Sequence, residues 1–245
     1  MPSRRWLLLT LLLFLATLLW RLPARWALTA LPASVNCDQP GGSIWRGSCG
    51  TLHADAQQLA GFGWRLHPLR LLRGELSATL SSRDPRARGT LQLTRLRDGR
   101  LRAESVVLDL PLDGGLIPGL PAGWTGQLQL QLQSLELRSL QIESVLGTIM
   151  AHDLVQRRPQ LTLGSYELRF AAPPATDGTI NGQLRDVGGP LAFEGRMQLR
   201  RGREFELNGN VAARSDAEPI LLRVLEQLGP ADSNGRRPLS VAGRY

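Results

Sequence analysis

Gly126-Gln127-Leu128-Gln129-Leu130-Gln131-Leu132-Gln133 is the stretch whose reading decides the fold. Strict alternation puts Leu128, Leu130 and Leu132 on one side of an extended chain and the glutamines on the other. Wound as a helix, the same leucines would spread around the cylinder and leave no apolar face. The stretch is therefore a half-buried strand of an antiparallel sheet. Beyond it the leucine phase slips by one at Ser134 (Leu135, Leu137) and again at Ser139 (Leu140, Ile142). A one-residue slip turns the buried face outward, so each serine predicts a bulge or a tight turn.

The pattern repeats in both directions. Downstream, strands are expected over 160–170, 179–187, 191–199 and 204–212, with Arg201-Gly202 turning the last pair and Leu239-Ser240-Val241-Ala242-Gly243-Arg244 closing the set. Upstream they are expected over 51–59, 74–81, 89–96 and 101–110, the last two joined by a hairpin at Arg97-Asp98-Gly99-Arg100. Residues 144–156 fit either strand or helix. Residues 68–73 make one helical turn. Ser215-Asp216-Ala217-Glu218 has the spacing of a capping box, opening a helix through Leu228 that Gly229-Pro230 ends. Its Ile220, Leu221, Val224, Leu225 and Leu228 form one apolar stripe.

Trp45-Arg46-Gly47, Trp124-Thr125-Gly126 and Phe193-Glu194-Gly195 each set an aromatic residue two positions before a glycine. A duplicated sheet layer would produce that echo; so would aromatic rings sealing strand ends.

The N-terminus is of another kind. Residues 7–19 are an unbroken apolar core between Trp6 and Trp20, with Arg4 and Arg5 before it and Arg21 and Arg25 behind. The leading arginines favour a cytoplasmic N-terminus, and the aromatic ends suit the two headgroup regions. A helix from Trp6 to Trp20 rises only about 22 Å against roughly 30 Å of hydrocarbon, which a secretory signal would also satisfy. The exit Trp20-Arg21-Leu22-Pro23-Ala24-Arg25-Trp26 lacks a small-x-small cleavage site, which favours an uncleaved anchor. The expected layout is a cytoplasmic tail (1–5), a transmembrane anchor (6–22), a linker (23–42) and a periplasmic β-rich domain (43–245) with an internal break near 111–123. The expected fold class is mainly β: the anchor helix, then an extended, curved antiparallel sheet rolled or folded on itself, with one short C-terminal amphipathic helix.

The four arginines around the anchor account for half of the +8 net charge. The other basic residues alternate with leucines along strands, a solvated face and no nucleic-acid surface. Cys37 and Cys49 are the only cysteines. On this topology they lie in an oxidising compartment and are disulfide candidates, the alternative being two partly buried thiols. Cys37, Cys49 and His53 lack the fourth ligand and close pairing of a zinc site.

No constellation points to catalysis or to a cofactor. His53, His67 and His152 sit in unrelated contexts. Gly47-Ser48-Cys49-Gly50 is not a nucleophile elbow. Asp109 and Asp113 flank Pro111 in what the sequence suggests is a loop, where carboxylates more often cap than catalyse. With no lysine in the chain there is no phosphate-loop signature. A non-enzyme is expected.

Four stretches carry a resemblance. Gly42-Ser43-Ile44-Trp45-Arg46-Gly47-Ser48 follows the apolar run. Phe62-Gly63-Trp64-Arg65-Leu66-His67-Pro68 leads through Leu71-Leu72-Arg73-Gly74 to Glu75-Leu76. Gly189-Pro190-Leu191-Ala192-Phe193-Glu194-Gly195 comes late, and Leu228-Gly229-Pro230-Ala231-Asp232-Ser233-Asn234-Gly235-Arg236 near the end. In order and spacing the chain resembles the type II secretion system protein N family, less so over 110–175. The resemblance implies a single-pass bacterial inner-membrane protein, accessory to the machine that exports folded proteins, contacting the L and M subunits of its assembly platform. It brings no catalytic residues. Sheet edges, Trp45 and Trp64 are the docking candidates that physics nominates, with Leu128, Leu130 and Leu132 as further partner-docking candidates. The leucine face of Leu128, Leu130 and Leu132 suggests an alternative, a groove that holds lipid in the manner of AsmA-like bridge proteins.

Overall fold

The computed structural model of the chain describes residues 6, 9–11, 13–14, 17–18, 21–28, 34–54, 57–113, 123–158, 160–200 and 203–244. It divides into two units, one ending at Asp84 and the other beginning at Pro85. Both are antiparallel sheet with a few short helices.

The first unit holds α1 (Ala24–Leu28), β1 (Val35–Asp38), β2 (Gly41–Gly42), β3 (Arg46–Ala54), β4 (Gln57–Leu66), α2 (Pro68–Leu71) and β5 (Leu76–Asp84). Its strand order is β1-β3-β4-β5, with β2 also pairing with β3. The region expected to be a linker therefore contains a helix and two short strands. The Cys37–Cys49 disulfide, with Cα atoms 5.7 Å apart, ties β1 to β3. One continuous strand was expected over 51–59; instead β3 ends at Ala54, which pairs with Gln57 of β4. The expected alternation is interrupted in the sequence at Asp55-Ala56-Gln57, a break that period counting alone passes over.

The second unit is a meander. β6 (Ala87–Arg95), β7 (Leu101–Asp113), β8 (Trp124–Arg138), β9 (Gln141–Arg157), β10 (Gln160–Phe170), β11 (Ile180–Gly188), β12 (Leu191–Arg200), β13 (Glu204–Ala213) and β14 (Arg237–Arg244) each pair with their neighbours in sequence. α3 (Pro219–Glu226) lies between the last two. The ambiguous 144–156 is strand, within β9. The two leucine slips of β8 resolve as one bulge and one turn. The β8–β9 register shifts between Leu132 and Ser134, and Ser139-Leu140, both at positive φ (49° and 63°), close a two-residue hairpin between Arg138 and Gln141. Both central residues in the left-handed region is the geometry that matches strand twist.

The irregularities line up across neighbouring strands. One line passes through Leu91, Ser105 (φ 51°) and Gln133 to Gly147 (φ 135°). A second runs from Gly126 through Asp153 (φ 50°) to Ser165 and Val187. A bulge bends its strand and increases local twist, so aligned bulges bend the strands of this unit along those lines.

Leu128, Leu130 and Leu132 share the apolar face. Leu132 is 4% exposed and lies in a cluster with Val106, Val145, Phe170, Ile180 and Leu199, against which Leu130 packs. Leu128 packs against another cluster, of Leu112, Leu154, Leu163, Phe193, Val211 and the Leu221 and Leu225 of α3. Two residues apart on one strand, Leu128 and Leu130 join the clusters into one face. The other face carries cross-strand ion pairs: Arg102 Nε donates to Glu136 at 2.8 Å, and Arg185 Nε to Glu167 at 2.9 Å.

Aromatic rings repeatedly lie over glycines. The Phe170 ring stands 2.7 Å from where a β-carbon on Gly182 would be, Phe193 covers both Gly195 and Gly209, and Phe205 covers Gly243. The aromatic–glycine echo in the sequence has this origin only at Phe193–Gly195. Over Gly47 the ring is that of Trp64, and beside Gly126 stand the His152 carbonyl and Leu154.

Other expectations are corrected. No helix among the described residues is long and apolar enough to cross a membrane, so the expected span over 6–22 is not defined here; of its described members, residues 6, 9–11, 13–14 and 17–18 are helical and exposed, while Arg21 and Leu22 are not helical. α3 begins at Pro219 behind Glu218, which makes no side-chain capping bond, so Ser215 does not cap it. Pro at the first turn needs no N–H there and sets the start in place of the capping box. Asp109 and Asp113 lie in β7, not in a loop, because Pro111 sits beyond the last β6 pair (Arg88 with Asp109), where its missing N–H costs no rung. The expected break near 111–123 falls mostly on 114–122, and the Arg201-Gly202 turn on 201–202, outside the described residues.

Candidate docking surfaces

Trp64 lies on β4 opposite Gly47 of β3. Its ring rests over that glycine, and its Nε1–H donates to the Ile44 carbonyl at 3.1 Å. The Trp45 carbonyl accepts from the Leu66 N–H at 2.7 Å. Both indoles are half-buried. Trp64 is thus already engaged within its own unit, as a strand-end anchor.

Leu128, Leu130 and Leu132 are likewise drawn into the two core clusters. The apolar surface left over lies elsewhere. In α3, Leu221 and Leu225 turn inward while Leu222 and Val224, and Leu228 just past its end, remain exposed. Leu140, at the tip of the β8–β9 hairpin, is 71% exposed. β14 is exposed along Ser240 to Arg244 and, among the described residues, pairs with β13 alone. Val224 and Leu228 lie in the apolar stripe, and β14 is the closing strand, that the sequence leads one to expect; that these stay exposed does not follow from alternation, which tells which side a residue takes and not which strand ends the sheet.

The polar groups are mutually satisfied. A recess of 630 Å³ is lined by Glu136, Arg138, Glu143 and Arg200 among others. Glu136 is held by Arg100 and Arg102, Arg138 by Glu143 at 2.9 Å, and Arg200 by Glu206 at 2.9 Å. Asp186 accepts from the Phe193 N–H at 2.9 Å and pairs with Arg214, whose Nη1 donates to the Gly189 carbonyl at 2.6 Å. Burial and then the Asp186 charge push the Tyr166 hydroxyl up to about 12, and that hydroxyl donates to the Leu163 carbonyl at 2.6 Å. At the surface, the Arg100 backbone N–H and then its guanidinium hold Asp98 below the usual carboxylate range. His53 Nε2 lies 2.8 Å from Asp38 and His67 Nε2 2.9 Å from Thr79. Among the described residues no three His, Cys, Asp or Glu side chains are grouped to hold a metal ion.

An antiparallel-sheet protein with one apolar face turned into its core, an exposed edge strand, β14, paired on one side among the described residues, and ion-paired polar faces is the class these features define. Over residues 33–240 the chain matches the family model described as type II secretion system (T2SS), protein N, and it belongs to that family. No curated protein and no solved structure matches it. It is thus a protein of type II secretion.

Proposed function

We propose that this chain is a non-catalytic docking subunit of the type II secretion machine. The apolar run over 6–22 tethers it to the bacterial inner membrane with the N-terminus in the cytoplasm. The sheet stands in the periplasm and contacts the L and M subunits of the assembly platform. The observation that carries this reading is the singly paired β14. An edge strand offers a row of backbone donors and acceptors to an incoming strand. Arg237, Pro238 and Arg244 blunt its ends, while Ser240-Val241-Ala242-Gly243 between them carries no charge.

Lipid binding along the leucine face is the weaker reading. Leu132 is 4% exposed, and Leu221 and Leu225 of α3 sit in the cluster that Leu128 joins. A groove would need that face open.

Isolation of the tagged full chain from membranes tests the proposal. The platform subunits should accompany the native protein, and Val241→Lys should release them while leaving its unfolding midpoint unchanged. Equal recovery with both proteins would contradict docking through β14. Phospholipid in place of protein partners would favour the groove.

A further inference from the structure

α2 is an anomaly in a folded protein: a four-residue helix, Pro68-Leu69-Arg70-Leu71, that buries none of its residues. Leu69 is 77% and Leu72 83% exposed, and Leu71 and Leu76 beside them are exposed as well. Single exposed leucines are ordinary; three at one helical turn, with Leu76 opening β5 just after it, mark a contact surface. The turn is not loosely hung. Pro68 stands at its first position, the His67 N–H donates to the Ser77 carbonyl at 2.9 Å, and Gly74 (φ 72°) ends it with its N–H on the Leu71 carbonyl at 2.8 Å. The leucines are held out.

What they face follows from hydrogen bonds. The Ile44 N–H donates to the Leu22 carbonyl at 3.0 Å, and Pro23 bridges to Ser43. These contacts fasten the end of the apolar N-terminal run to the loop before β3. The same loop receives the Trp64 indole through the Ile44 carbonyl and the Leu66 N–H through the Trp45 carbonyl. Leu66 and His67 lead directly into α2. So α2 emerges at the end of this unit where the apolar run joins it. α1 completes that end: Ala24 is buried at 2%, and Trp26 is 60% exposed beside the exposed Arg25. The charge has the matching sign, since residues 65–80 hold three arginines (Arg65, Arg70, Arg73) and one acid, Glu75.

We infer that α2 and the outer side of α1 form a lipid-contact surface that seats this unit on an anionic phospholipid bilayer. Leu69, Leu71, Leu72 and Trp26 enter the boundary between headgroups and acyl chains, with Arg70 and Arg73 at the phosphates. Apolar side chains flanked by arginines suit that depth, about 5–10 Å into the interface. A surface contact also explains why a short apolar run suffices, because stable attachment commonly takes two weak signals together. This inference rests on the tether reading above.

The test is nitroxide depth measurement on the full chain, purified and reconstituted in vesicles of phosphatidylethanolamine and phosphatidylglycerol. Labels are placed singly at Leu13, Leu72 and Val241, with the Cys37–Cys49 disulfide intact. The Leu72 label should be reached by oxygen and shielded from a water-soluble relaxant, while the Val241 label reports water. Arg70→Gln with Arg73→Gln, or neutral phosphatidylcholine vesicles, should bring the Leu72 label several-fold closer to the aqueous value. A Leu72 label as wet as Val241, with Leu13 in hydrocarbon, overturns this inference and leaves the tether standing. Both Leu13 and Leu72 in water overturn the two together. The pure reconstituted chain has no protein partner, so shielding of Leu72 reports lipid.

Discussion

The Trp64 indole fills the space that a β-carbon on Gly47, its cross-strand partner, would occupy. The glycine is the seat of the ring, and the indole N–H reaches the Ile44 carbonyl only from that seat. Gly47→Val should expel the ring and cost about 1–3 kcal/mol as overpacking does. Trp64→Ala should cost about 3 kcal/mol, the low end for a large aromatic because the ring is half-buried. Since the two residues touch, the double variant should cost less than the sum of the singles. Urea unfolding of the full chain in detergent measures all three. Strict additivity would show that the ring and the glycine do not depend on each other.

The Cys37–Cys49 bridge spans 12 residues of sequence, and Cys49 is 1% exposed. A loop of that size is worth about 3 kcal/mol in the chain-entropy model. Reductant should therefore lower the unfolding temperature of the native protein and have no effect on Cys37→Ser/Cys49→Ser, which starts from the lowered value. An equal response to reductant in both would place the effect outside this bridge.

Tyr166 should ionise late. With a folded pKa pushed up to about 12 and an ordinary value of 10.0, the folded state keeps its proton while the unfolded chain loses it. The stabilisation is complete below pH 10 and disappears as pH rises toward 12. Tyrosinate absorbance of the native chain, which has two tyrosines, should show a late step that Tyr166→Phe removes. Asp186→Asn should move that step down, because the Asp186 charge is among the causes that raise it. A step unmoved by both would assign it to Tyr245.

The β8–β9 turn holds Ser139 and Leu140 in the left-handed region, which glycine and asparagine adopt at less cost. Ser139→Asn with Leu140→Gly should raise stability by about 1 kcal/mol. A gain in stability accompanied by a drop in secretion would mark exposed Leu140 as a contact residue held there for use. No gain at all would mean that the turn is not strained.

Much of this fold was legible in the sequence because a strand announces itself locally. Residues 127–133 and both serine slips could be read from side-chain parity, and β10 from 160 to 170 matches its expected bounds. What was not legible depends on contacts between distant residues. Ser215 has the spacing of a cap, yet Pro219 starts the helix. Asp109 and Asp113 look like loop carboxylates until the β6 pairing shows where Pro111 can sit. The docking candidates show the same limit. Trp64 and Leu132 are large and apolar, as a contact residue would be, but Gly47 and Val106 take them up. Of the exposed surfaces, β14 pairs with β13 alone among the described residues and α2 buries none of its residues.

Photo-crosslinking in living cells tests the central claim most directly, with a diazirine side chain placed at Val241 on β14 or at Leu128 on the apolar face. The account predicts crosslinks from Val241 to the L or M subunit of the secretion platform and none to another molecule from Leu128. Silence at Val241 together with phospholipid adducts at Leu128 would contradict it, and would make the leucine face a lipid-binding groove.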